Sequence, residues 1–168
     1  MLPYLSESAP ARPPHDTESF PPDNSNRSLS FITGVVRDGP PIFHDFGDVK
    51  EDVEPKYNRG VAVKAIFVGA NPRNNLRLED TFAAVEKLDL DQNGEERWTT
   101  VRDDSDWSLI FQWRRTSEVL ATSEVEITWE TEENAEKGRY RLRYFGDAKS
   151  IGGSITPFEG TTSSFSLV

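Results

Sequence analysis

Between Arg139 and Phe145 the chain alternates strictly: Arg139, Arg141 and Arg143 are interleaved with Tyr140, Leu142 and Tyr144. A period of two is the period of an extended strand, whose side chains point to opposite faces in turn. A helix would spread the arginines around its circumference and leave no uninterrupted apolar face. Only a strand can bury the Tyr–Leu–Tyr set while keeping all three guanidinium groups in water. The same pattern recurs elsewhere. Val125, Ile127 and Trp129 alternate with Glu126, Thr128 and Glu130. Trp107, Leu109, Phe111 and Trp113 alternate with Ser108, Ile110 and Gln112, giving one heavily aromatic face, and Phe165 and Leu167 repeat the pattern near residue 168. Val61 to Val68 is rich in β-branched residues and runs into Gly69-Ala70-Asn71-Pro72, a strand ending at a turn.

One stretch reads both ways. Phe82, Val85 and Leu88 are spaced three apart, which suits a helix, but the neighbouring segments favour a strand over 81–88. Arg97–Val101 is its expected partner across the turn from Asp89 to Glu96. The segment from Thr131 to Gly138 is short enough to join Val125–Glu130 and Arg139–Phe145 as an antiparallel pair. That pairing sets Glu126 and Glu130 against the three arginines, each opposite-charge pair contributing roughly 0.2–1 kcal/mol. A slip of one residue would bury arginines. About seven short strands separated by turn residues predict an all-β fold, an immunoglobulin-like antiparallel β-sandwich. Gly138-Arg139-Tyr140 suits the start of a late strand carrying a tyrosine corner.

The N-terminal part is different. Most of the 11 prolines fall before residue 42, and Pro3 to Asn26 is rich in Pro, Ser and Asp with no apolar periodicity. Such a segment cannot bury enough surface to offset its ordering entropy. Residues 1–28 are therefore expected to form a Pro-rich linker, extended or disordered, and residues 29–168 the domain. The net charge of −10 and a pI near 4.7 argue against a nucleic-acid partner, which needs clustered Lys and Arg. The same charge disfavours anionic lipid head groups. No apolar run reaches the ~18 residues of a transmembrane segment. The N-terminus lacks the basic-then-apolar pattern of a signal peptide. With no cysteine, disulfides and thiolate metal sites are excluded. Asn26-Arg27-Ser28 is a sequon in the linker, relevant only to a secreted chain.

No catalytic, cofactor-binding or metal-ligating residue can be assigned. Asp89-Leu90-Asp91-Gln92-Asn93-Gly94 matches the first half of a calcium loop. That loop needs an apolar residue at position 8 and a bidentate Glu at position 12, where Glu96 and Thr100 stand. A polar hairpin turn through Asn93-Gly94 is the better reading. Asp103-Asp104-Ser105-Asp106 reads as a solvated turn. The two histidines, His15 and His44, make no zinc-binding spacing, and no serine lies beside a histidine or in a nucleophile-elbow motif. Trp107 and Trp113 read as core rather than as a ligand platform. Gly69 to Asn75 is a demanding turn, and it is also a candidate domain-docking loop in which Asn71, Arg73, Asn74 and Asn75 would hydrogen-bond a partner surface.

Several segments together resemble the C-terminal domain of neutral (alkaline, non-lysosomal) ceramidases. They are Phe46-Gly47-Asp48-Val49, Phe67 to Asn75, Thr81-Phe82 leading to Val85-Glu86, Asp104 to Trp107, Thr128-Trp129-Glu130, Gly138 to Asp147 and Phe158 to Thr161. The resemblance covers roughly residues 30–168, and Ser28–Pro41 resembles the segment that precedes this domain. It implies an immunoglobulin-like, non-catalytic domain that packs in cis on a ceramidase catalytic domain. That catalytic domain would carry the zinc and the serine nucleophile that split ceramide into sphingosine and a fatty acid. It also implies a secreted or membrane-associated parent enzyme. The alternative is a free-standing immunoglobulin-like binding module for a protein or glycan.

Overall fold

The computed structural model describes residues 37–76 and 80–168. The linker reading for residues 1–28 lies outside them. The described residues form ten strands, here β1 (Val49–Glu51), β2 (Lys56–Tyr57), β3 (Ala62–Gly69), β4 (Ala83–Leu90), β5 (Glu96–Asp103), β6 (Leu109–Ser117), β7 (Thr122–Glu130), β8 (Gly138–Lys149), β9 (Ile155–Thr161) and β10 (Phe165–Leu167). They build two sheets in a sandwich-like arrangement. The first has the order β1-β3-β7-β6, and the second β2-β10-β8-β4-β5, with β9 also paired to β8. Every pairing is antiparallel except β10 with β2, which is parallel. The stretch that read both ways is strand β4, and β5 lies beside it as expected.

The alternating residues meet between the sheets. Val63, Ala65 and Phe67 of β3 and Val125, Ile127 and Trp129 of β7 face Val85 of β4, Tyr140, Leu142 and Tyr144 of β8, and Phe165 and Leu167 of β10. Burying an aliphatic or aromatic side chain of this size contributes about 1.5–3 kcal/mol. Trp129 packs on Tyr140 with ring centroids 5.1 Å apart, and Phe67 on Tyr144 at 5.6 Å. The Tyr140 hydroxyl donates to the Glu136 carbonyl at 2.5 Å, the geometry of a tyrosine corner. That bond ties the start of β8 to the connection leading into it.

Two expectations are corrected. β7 and β8 are not hydrogen-bonded to each other: β7 sits between β3 and β6, and β8 between β4 and its partners β9 and β10. The connection from 131 to 137 crosses from one sheet to the other. The charge pattern did not specify the pair, because each strand finds its complement within its own sheet. Glu126 meets Lys64 at 3.0 Å, while Arg141 and Arg143 meet Glu86 at 2.5 and 3.4 Å. Secondly, Trp107 is not core. It precedes β6, in the turn closed by Leu109 N–H to Asp106 O, and is 78% exposed. Trp113, in contrast, packs against the core.

Candidate functional site

A set of hydrogen bonds joins four segments at one end of the sandwich, where segment 37–48, the loop after β3, the β6–β7 turn and the β8–β9 turn meet. The centre of that end is Asp38, whose side chain is fully buried. It accepts from Asn71 N–H at 2.8 Å, from the Asn74 side-chain amide at 2.7 Å and from Lys149 N–H at 3.0 Å. The Arg115 guanidinium stands 3.9 Å away. A buried carboxylate is tolerated only when its lone pairs are taken up this way. Gly39 N–H continues the clamp to Ala121 O at 3.0 Å, and the Arg37 guanidinium donates to Val119 O at 2.7 Å.

The loop that follows β3 is shaped by its own residues. Asn71 caps it, its side chain accepting from Arg73 N–H at 3.1 Å, and Pro72 opens a single turn of 3-10 helix over Pro72–Asn74. Proline fits there because it fixes φ where no N–H is needed. Ala70 N–H donates to the Tyr144 hydroxyl at 3.2 Å, and burial pushes that hydroxyl's pKa up, so it stays protonated. Leu76 N–H donates to buried Asp147 at 2.9 Å. Two buried aspartates thus hold the loop from beneath.

The four residues singled out in the sequence divide accordingly. Asn71 and Asn74 are buried and turn inward to the clamp, Asn75 is half-buried, and Arg73 points outward with exposed Leu76 beyond it. Sequence reasoning missed Asp38 and Asp147. Their partners lie 33 to 111 residues away along the chain, so no local spacing marks them. Around this clamp the surface turns apolar. Ile42, Phe43, Val119, Leu120 and Ile151 are all exposed, and an open hollow of about 540 Å³ lies between Arg37, Pro40, Phe46, Ile151 and Phe158.

The other sequence candidates have structural roles. Asp91 accepts from Asn93 N–H at 2.8 Å and Glu95 N–H at 2.9 Å, closing the β4–β5 hairpin, whose Gly94 adopts φ 80°. Asp104 ties the segment before β4 through Thr81 Oγ1 at 2.7 Å and Phe82 N–H at 2.9 Å. Asp103 is held below the usual carboxylate range by hydrogen bonds from the Ser105 hydroxyl and N–H. Among the described residues there is no group of three or more His, Cys, Asp or Glu side chains that could hold a metal ion. No helix among them is long and apolar enough to cross a membrane.

What this architecture defines is a two-sheet β domain in which two buried aspartates, Asp38 and Asp147, position the loops at one end. The family described as "Neutral/alkaline non-lysosomal ceramidase, C-terminal" matches residues 1–167. The neutral ceramidase of Oryza sativa subsp. japonica is 42% identical over 153 residues, which is 90% of this chain and 19% of that protein. That of Pseudomonas aeruginosa is 36% identical over 161 residues, 90% of this chain and 23% of that protein. The crystal structure of the Pseudomonas aeruginosa enzyme superimposes with a TM-score of 0.72 at 34% identity, over 81% of this chain and 21% of that one. The chain therefore belongs to the neutral/alkaline non-lysosomal ceramidase family and corresponds to its C-terminal domain. It spans about a fifth of the length of the relatives it matches.

Proposed function

We propose that this domain packs in cis on the catalytic region of a neutral ceramidase and stabilises it, without itself performing the hydrolysis. The supporting observation is the Asp38-centred end. Buried carboxylates fix the loop backbone there, while Arg73, Leu76 and a ring of aliphatic and aromatic side chains remain outward and uncovered. Rigid loops with exposed apolar tips suit docking, because their ordering cost is met before the partner arrives. Arg73 is the outward hydrogen-bond donor of the loop, and Asn71 and Asn74 set its position. The hydrolysis of the ceramide amide bond, with the zinc and the serine nucleophile, falls to that catalytic region in this reading. The described residues supply no donor set for zinc, and no step is assigned to it in this chain. A secreted or membrane-associated location belongs to the same reading.

The test is an amide-hydrolysis assay with labelled ceramide, read by sphingosine release. The purified chain is expected to release none, and the intact ceramidase polypeptide that bears it to turn over. Release of sphingosine by the purified chain alone would sink the proposal.

A further inference from the structure

Phe43 is the most exposed large apolar side chain among the described residues, at 99%, and its neighbour Ile42 is 74% exposed. Phe43 also has φ 69°, in a turn closed by His44 N–H to Pro41 O at 3.1 Å. That left-handed conformation suits Gly or Asn and is unfavourable for a bulky side chain. Neither of the usual reasons for an aromatic therefore applies: the ring packs on none of the described residues, and the backbone beneath it would prefer glycine. Strain and exposure at one residue point outward, to something that the ring meets in another part of the polypeptide.

We infer that Ile42 and Phe43 form an apolar anchor that inserts into a pocket on the catalytic region of the same ceramidase polypeptide. This rests on the cis-packing reading and gives it a contact residue. Three observations choose the occupant. The family match is to a C-terminal domain, and the matched relatives are about five times longer, so the bulk of such a polypeptide precedes this domain. Upstream chain joins the described domain at Arg37, which lies at the same end as the tip and is bonded to the Val119 turn. Finally, Asp45 and Asp48 follow the tip in the sequence, and the chain carries a net charge of −10. These charges oppose an anionic lipid surface and suit an apolar pocket with a cationic or neutral rim. A buried aromatic at the centre of a contact is the usual hot spot.

The experiment uses Phe43→Gly, which removes the ring and suits the local backbone. Leu90→Ser is the control. Leu90 is 70% exposed at the opposite end: β4 runs from Ala83, opposite Tyr144, past Lys87, opposite Tyr140, while the clamp holds Lys149. In the intact ceramidase polypeptide, the half-life of ceramide hydrolysis on heating should fall roughly tenfold with Phe43→Gly, the factor a contact of ~1.4 kcal/mol represents. It should be unchanged with Leu90→Ser. The 168-residue chain bearing Phe43→Gly should melt no lower than the unsubstituted chain. A half-life unaffected by Phe43→Gly, in a polypeptide whose domains still unfold as one transition, overturns the anchor alone. Two independent transitions in the unsubstituted polypeptide overturn the cis-packing reading beneath it. Phe43-dependent co-sedimentation of the chain with phosphatidylcholine vesicles would assign the tip to lipid, and a Phe43-dependent dimer in sedimentation equilibrium would assign it to a second copy. Either result overturns the inference.

Discussion

Asp38 shows how much one side chain can hold. Replacing it with Ala leaves the Asn71 and Lys149 N–H groups and the Asn74 amide buried without their acceptor. We expect Asp38→Ala to lower stability by roughly 2–4 kcal/mol, measured by urea unfolding, with Asp38→Asn intermediate. Glu124 offers a test of pH dependence. Its side chain is nine-tenths buried between Lys50 and Arg114, and the Lys50 hydrogen bond, opposed by burial and reinforced by Arg114, holds its pKa below the usual glutamate range. A carboxylate with a lowered folded pKa contributes stability above its unfolded value, about 4.3, and loses it as the pH falls through the folded value. The urea midpoint should therefore drop below about pH 4. In Glu124→Gln it should start lower at pH 7 and fall less steeply on acidification. Residue-scale roles of this kind were the least legible in the sequence. Asp91 could be read as a turn residue because its partners are Asn93 and Glu95, but Asp38 could not, since its donors come from two distant segments.

At the scale of the element, strand identity was legible because alternation is a local property of the chain. β7 and β8 were both visible in the Val-Ile-Trp and Tyr-Leu-Tyr sets, and so was the inward direction of those sets. Pairing was not legible in the same way. A seven-residue connection over 131–137 serves a hairpin or a crossing between sheets equally well, and acidic faces meet basic ones in either arrangement. Trp107 was misread for a related reason, because the alternation continued one step past the point where β6 begins at Leu109. Close approach between elements gives a further prediction. A Cβ on Gly160 in β9 would collide with the Gly47 carbonyl oxygen and crowd the Phe67 ring at 2.8 Å. Gly160→Val should destabilise the chain by about 2 kcal/mol or more, read as a lowered melting temperature, because the neighbour is backbone and cannot turn aside.

Over the whole molecule, charge governs behaviour in solution. At pH 7 the excess of ten negative charges keeps copies apart, and that repulsion vanishes near the pI of 4.7. Light scattering should show self-association peaking near that pH and receding at neutrality. The all-β class and its acidic surface could both be read from the sequence. Which strands share a sheet emerged only from the structure, because it is decided by which strands exclude water together.

The parallel pairing of β10 with β2 has a consequence for biosynthesis. Phe165 and Leu167 enter between β2 and β8, and Phe165 lies against Tyr57, Trp129 and Tyr140, residues drawn from both sheets. A chain that reaches past β9 but lacks residues 165–167 would therefore expose those rings together with the unpaired edges of β2 and β8. Such edges are what quality-control chaperones and proteases recognise. β10 thus works as a seal, covering those rings and both strand edges at once.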